Sequence, residues 1–537
     1  MQVIIYDVTL RDGWQDPRKN LPVSLKDRVY NAVADFGPHY IEACWPSSSA
    51  EDMEFIKQIT ARGNDNSRIA AFGSTANPQS RIEQDRNLND IVESGADAAT
   101  IFGKTWDVHI TEQLGIGTDD NLELIKASVD YLKEKGLEVV YDAEHFFTGW
   151  KKDPEYAFDC LKAAIEGGAS TVVLCDTKGA CMPKDVRKVV RDIYDKLGVE
   201  DVVWGFHGHN DSGYATANTC EFVDAASGYF EKVQIHGTVC GYGERCGNAD
   251  WFEVLPDLAE KYEYDIDIDL SNIFMMAKRI SDITGIPIPK TKPYYGELAF
   301  ANKGGAHVDA ERKGATYYHT RPEKWGNVPL TITGNQSGKA NVLDWLDEFQ
   351  ITGVDKKDSR MPGLLQELKE LSDAGYDLNQ SRAERLLLLH KHLAGNPIAY
   401  IRINDYDTSE VRMFKSRENG KKATTVLTGQ VYDGRQWKDF EDIATSTHGQ
   451  VDSQKLALIK VLKPYHPEVE KIKLVDYKPE ILEEKGTASS MKVPLKLSSG
   501  KHVYETVGIS ESIIEASLEA LHKGFIYSII RGQYRNL

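Results

Sequence analysis

Eight short runs of apolar, largely β-branched residues punctuate the first half of the chain, at 2–9, 40–45, 68–74, 98–103, 138–143, 171–176, 202–207 and 232–239. Each ends in polar residues, and between them lie longer stretches with apolar positions at helical spacing, such as 51–62, 122–135, 155–167, 183–197 and 214–227. The runs are nearly continuous in apolar residues, the pattern of parallel strands covered on both faces. Helix-start signals fit: Ser24 before Leu25, Asp153-Pro154, and Pro183 in a first turn. Eight strand–helix units in about 265 residues predict a (β/α)8 TIM barrel of the α/β class. A doubly wound open sheet is the alternative.

Beyond residue 265 the pattern changes twice. A helix over 270–283 leads into the Pro-rich stretch Ile286 to Pro293, which interrupts regular structure, and helical patterns follow at 338–349, 361–373 and 380–393. Residues 266–395 therefore read as a helical linker region. From 396 to 537, strand-like runs at 398–403, 410–415 and 423–432 precede a helix at 452–464. Runs at 471–477, 491–497 and 502–509 then precede a helix at 510–523. Two βββα units would pack as one small α+β domain.

Active sites of such barrels sit at the C-terminal strand ends, and nearly every end here is polar. The seventh run ends in His207-Gly208-His209-Asn210-Asp211. Strand residues i and i+2 share a face, so both imidazoles can reach one ion; a hydrogen-bonded histidine pair in a polar loop is the simpler alternative. Barrel closure would bring Asp12, after strand 1, and Asn248, after strand 8, to the same spot. One carboxylate, two imidazoles and one amide oxygen suit a catalytic Mg²⁺, Mn²⁺, Co²⁺ or Zn²⁺ ion. Arg11 beside Asp12 could stabilise a developing alkoxide or bind a carboxylate, or form a salt bridge at the barrel mouth. Glu144 and His145 end strand 5, where a carboxylate could serve acid–base chemistry. His307, in a Gly-rich loop outside the barrel, taken alone reads as a surface histidine. Two lookalikes fail on spacing: Gly334 to Ala340 is no phosphate loop, and Gly241 to Gly247 is no dinucleotide fingerprint.

The totals narrow the partners. A formal charge of −18 over 537 residues argues against nucleic acid or an anionic membrane as partner. Seven cysteines, none in a C-x-x-C pair, read as buried, reduced thiols of a cytoplasmic protein. The apolar strand pattern at Val3 leaves no room for a leader peptide, and no apolar run approaches the roughly 20 residues of a membrane span.

Taken together, Leu10-Arg11-Asp12-Gly13 with Gln15, His207-x-His209-Asn210-Asp211 and Gly243-Glu244-Arg245-x-Gly247-Asn248-Ala249 resemble the metal-dependent acyl-CoA Claisen-condensing barrels. That family includes the isopropylmalate, homocitrate and citramalate synthases. Resemblance to the citramalate synthase branch shows in Ala71 to Thr75, Thr100 to Lys104, Tyr141 to Phe147, Leu174 to Thr177 and Lys303-Gly304-Gly305-x-His307. The stretch Thr506 to Glu511, with Ile513 to Ser517, looks like that family's regulatory domain.

The resemblance implies condensation of acetyl-CoA with a 2-oxo acid, pyruvate in the citramalate branch, on a divalent metal held by Asp12, His207, His209 and Asn248. It implies that Arg11 stabilises the alkoxide, that Glu144, His307 and Tyr317 serve proton transfer, and that Gln15 and Thr177 meet the substrate. It implies a homodimer in which the histidine and tyrosine reach the partner's site. A C-terminal regulatory domain would take an amino-acid effector, isoleucine or leucine. Cys44 and Trp45, Lys178, Asn302, Ala306 and the bulky Trp14 depart from the usual pattern around the acceptor pocket. Other acceptors (as in isopropylmalate or homocitrate synthases), a carbon–carbon lyase of the same superfamily, and a non-catalytic amino-acid sensor are the competing readings.

Overall fold

In a computed structural model, the apolar runs become eight parallel strands: β1 (Gln2–Asp7), β2 (Tyr40–Cys44), β3 (Arg68–Ser74), β4 (Ala98–Lys104), β5 (Glu138–Glu144), β6 (Thr171–Asp176), β7 (Val203–Gly208) and β8 (Lys232–Gly237). The structure describes all residues except 65, 199–200, 303–309, 311–316, 332–338, 379–380, 394–399, 413–420, 484–488, 501 and 535–537. The strands close in sequence order into a barrel, with β1 against β8 in the register Val3↔Val233 to Tyr6↔His236. Closure excludes the open-sheet alternative.

The barrel interior is a packed core. Tyr6, Val8, Tyr40, Val140, Val173 and Cys175 meet there with the small Ala70 and Ala98. The rings of Tyr6 and Tyr40 stack at 5.4 Å, so alanines on β3 and β4 leave the width that two tyrosines need. Outer helices cover the strands, among them Lys26–Phe36, Thr118–Glu134, Pro154–Gly167 and Pro183–Leu197. Asp153 caps Pro154–Gly167 by accepting from the Tyr156 amide, and Pro183 opens its helix. Ser24 does not cap; it sits in the 3₁₀ turn Val23–Leu25 that precedes Lys26–Phe36.

The chain forms two compact units. One comprises Met1–Phe300 with Thr320–Pro329, the other Ala301–His319 with Leu330–Leu537. The second holds helices Lys339–Glu348, Met361–Asp373 and Arg382–Leu393. It also holds a three-stranded antiparallel sheet (Ile401–Arg412, Lys421–Tyr432, Trp437–Ser446) and a four-stranded one. In the latter, Ser490–Ser499 pairs with Ile472–Tyr477, Glu480–Glu483 and His502–Ser510. Helices Gln450–Leu462 and Ile513–Ile530 bury their apolar faces in the core of this unit.

Among the described residues, no helix is long and apolar enough to cross a membrane. All seven cysteines are free; six are buried and Cys246 is exposed.

Candidate metal centre and active site

The centre is built by the ends of β7, β8 and β1. β7 carries His207 into the barrel mouth, and His209 follows one residue beyond its end. The loop after β8 is laid across that end by backbone hydrogen bonds. Ala249 N donates to Gly208 O at 3.0 Å, and Asn210 N donates to Gly247 O at 2.8 Å. These bonds place Asn248 opposite His209. Asn248 donates its Nδ2 to Tyr242 O at 3.0 Å, which leaves its buried Oδ1 without a partner. Asp12 enters from the tight turn after β1, where Gly13 N bonds Val8 O at 3.1 Å.

Asp12 Oδ2 lies 3.4 Å from His207 Nε2 and 3.7 Å from His209 Nε2, and the two Nε2 atoms are 3.4 Å apart. Ligands bound at about 2.0–2.2 Å from one small cation sit this far from one another. The chemistry fits as well: the three side chains are buried, and the orphaned oxygens Asp12 Oδ1 and Asn248 Oδ1 are further donors. Burial disfavours the Asp12 carboxylate, but Arg11, His209 and His207 outweigh it and hold the group well below the usual carboxyl range. Burial pulls His209 down to about 4, against the opposing effect of Asp12. Carboxylate and neutral imidazole are the protonation states that ligate metal.

Around the centre is a cleft of about 350 Å³, lined by Arg11, Gln15, Glu144 and Thr177 among others. Arg11 donates through Nε to Glu42 Oε1 at 2.5 Å and through Nη1 to Asp12 Oδ2 at 3.1 Å, and its guanidinium stacks 3.8 Å over Phe72. Glu144 pairs with Lys104 at 2.5 Å. Thr177 Oγ1 accepts from the His145 amide at 2.8 Å, which leaves its own hydroxyl proton free to donate. His145 adopts the left-handed region (φ 60°); burial, then His109 and Lys104, bring its imidazole down to about 3, so it is neutral. Trp14 is fixed by donation to Leu21 O at 3.0 Å, and the buried pair Lys26–Asp52 (2.5 Å) completes that wall.

The structure thus brings Arg11, Asp12, Gln15, Glu144, Thr177, His207, His209 and Asn248 to one barrel mouth. Tyr317 belongs to the second compact unit, where it is exposed. His307 lies outside the described residues, as does most of the discarded phosphate-loop lookalike, Gly334 to Gly338. Sequence reasoning missed Lys104 and Arg245 as members. Arg245 donates to Thr177 O at 2.8 Å and to Asp211 Oδ1 at 2.8 Å, tying three strand ends together. Their positions at strand ends were the available signal; which carboxylate each would meet was not.

Fold and site define a (β/α)8 barrel with a buried cluster of nitrogen and oxygen donors, a candidate metal centre, at its C-terminal mouth. The HMGL-like family model matches residues 2–280, and the LeuA allosteric (dimerisation) domain matches 385–528. The (R)-citramalate synthase of Aquifex aeolicus (strain VF5) is 35% identical over 99% of this chain and 98% of its own. That of Sulfolobus acidocaldarius is 35% identical over 98% and 96%. Among solved structures, the hydroxymethylglutaryl-CoA lyase of Pseudomonas aeruginosa covers 53% of this chain and 94% of its own at 19% identity, with a TM-score of 0.45. The chain belongs to the HMGL-like family and, within it, to the citramalate synthase branch; it is an enzyme.

Proposed function

We propose that the protein is an acyltransferase that condenses acetyl-CoA with pyruvate to give (R)-citramalate and CoA. The observation that carries the reading is full-length similarity to (R)-citramalate synthases in a chain whose Asp12, His207, His209 and Arg11 meet at one buried point. A lyase needs no LeuA-type domain, and a sensor needs no ligand set.

In this reading Asp12, His207, His209 and Asn248 hold a divalent ion, Mg²⁺, Mn²⁺, Co²⁺ or Zn²⁺, which when bound supplies Lewis-acid polarisation of the ketone. Thr177 donates its hydroxyl to the pyruvate carboxylate, and Gln15 binds substrate from the wall of the same cleft. Glu144 takes a proton from the acetyl-CoA methyl, with His307 and Tyr317 reaching in from the other subunit of the homodimer as the further proton-transfer groups. The methyl carbon bonds to C2 of pyruvate, and Arg11, held by Glu42, stabilises the oxyanion left at C2 until it is protonated. Water then cleaves the thioester, releasing CoA as the thiol and leaving the second carboxylate of the product.

In this account residues 1–265 carry the metal centre and the acceptor pocket, 266–395 link the domains and supply His307 and Tyr317, and 396–537 dimerise the chain and bind an amino-acid effector, isoleucine or leucine. The dimerisation domain supports a homodimer, and seven unpaired cysteines support a cytoplasmic enzyme.

Thiol titration of CoA release tests the reaction. Release with acetyl-CoA and pyruvate that a chelator abolishes and added metal restores, with (R)-citramalate recovered, is the expected result. No release with pyruvate, despite bound metal, overturns it.

A further inference from the structure

A second cluster of ionisable side chains lies on the inner side of the centre. One donor atom each from Asp142 on β5, His207 on β7 and His236 on β8 lie within 4.8 Å of one another, all buried. Asp142 Oδ1 and His236 Nδ1 are 4.0 Å apart. Three buried atoms here have no hydrogen-bond partner: Asp142 Oδ1, His236 Nδ1 and His207 Nδ1. Orphaned buried polar atoms are costly, so three in one place call for an explanation.

Proton bookkeeping supplies one. His207 points Nε2 at Asp12 and His209, and a ligating imidazole is neutral with its lone pair toward the ion. Its proton therefore sits on Nδ1, facing away from the centre. His236 Nε2 lies 3.0 Å from Gln234 Oε1, an acceptor only, so that nitrogen carries the His236 proton and Nδ1 is left as an acceptor. The His236 ring is fixed by stacking on Tyr6 at 4.2 Å. With Asp142 as the carboxylate, the cluster holds one donor and two acceptors. A carboxylate accepting the far N–H of a ligating histidine fixes the ring and makes it a stronger ligand, and one water can span the contact where it exceeds direct reach.

We infer that Asp142, backed by His236, is a positioning residue of the metal centre that holds His207 through its far ring nitrogen. The inference rests on the metal reading above, and the test separates the two.

Mn²⁺ binding to the metal-free full-length protein is measured by calorimetry for wild type, Asp142→Ala, Asp142→Asn and Asp12→Asn, with the melting temperature of each metal-free form. Asp142→Ala is expected to weaken Mn²⁺ 10–100-fold. Asp142→Asn, which keeps a neutral acceptor, should weaken it at least threefold but less than alanine does. The metal-free form of Asp142→Asn should melt with wild type, a separation that a merely structural role would not give. Mn²⁺ affinities for Asp142→Ala and Asp142→Asn both within threefold of wild type overturn the inference, and if the alanine variant does not fold the asparagine variant decides. A wild type that binds no Mn²⁺, or an Asp12→Asn variant that binds it unchanged, instead overturns the metal reading.

Discussion

Arg11 and Glu42 form an ion pair at 2.5 Å in which the carboxylate is wholly buried. Tyr6 donates its hydroxyl to the other Glu42 oxygen at 3.2 Å, so the barrel interior anchors the cation that faces the cleft. Removing one partner of a buried pair strands the other, at a cost of about 3–5 kcal/mol. Glu42→Ala is therefore expected to lower the melting temperature sharply. It should also lower kcat/KM at least tenfold, because Arg11 loses its fixed direction. A variant with wild-type stability and rate would show that Phe72 and Asp12 alone hold Arg11.

Gly247 sits at φ +85°, and a Cβ there would collide with the Gly241 carbonyl oxygen. Strain of about 1–3 kcal/mol at such a position would displace the loop that presents Asn248. Gly247→Ala is expected to weaken metal binding about tenfold or more, read by the same calorimetry. Unchanged affinity would remove Asn248 from the ligand set.

Asp7 gives a pH signature. Burial raises its carboxyl to about 7, against hydrogen bonds from Thr9 and Trp251 that favour the charged form. In the unfolded chain the group ionises near 4. A raised folded value contributes stability that is complete below the unfolded pKa and is lost as pH rises through the folded one. From pH 4 to 7 the wild type should thus lose stability relative to Asp7→Asn, by about 1.4 kcal/mol per pH unit at most. Parallel pH–stability curves for the two proteins would contradict this.

In the second unit, Gly508 on His502–Ser510 packs directly on helix Ile513–Ile530, where a Cβ would strike the Ala516 carbonyl oxygen. Gly508→Ala is expected to destabilise that unit by about 1–3 kcal/mol. Hydrogen exchange should accelerate in 490–530 and stay unchanged in β1–β8. Equal acceleration in both would mean that the two units unfold together.

The barrel was legible because its strands are buried on both faces, so that each announces itself as an apolar run with a polar end. Strands with a polar face were not. The runs expected at 398–403 and 410–415 overlap the two ends of one strand, Ile401–Arg412, whose Asp405 and Asp407 broke the apolar pattern; 398–399 and 413–415 lie outside the described residues. Trp437–Ser446 carries Asp439, Glu441 and Asp442 and gave no apolar run at all. At the site, strand-end position marked Asp12, His207 and His209 directly. The Lys104–Glu144 pair and the Asp142–His236 cluster depend on barrel register, which one-dimensional periodicity does not carry.

Pairing of β1 with β8 gives the centre an order of assembly. Asp12 leaves the ribosome before His207 and His209, and Asn248 follows them. A nascent chain that has not yet released the β8 loop presents no complete ligand set. An ion held by the proposed ligand set would therefore not template the early fold, and would selectively stabilise chains whose barrel segment has been synthesised to its end.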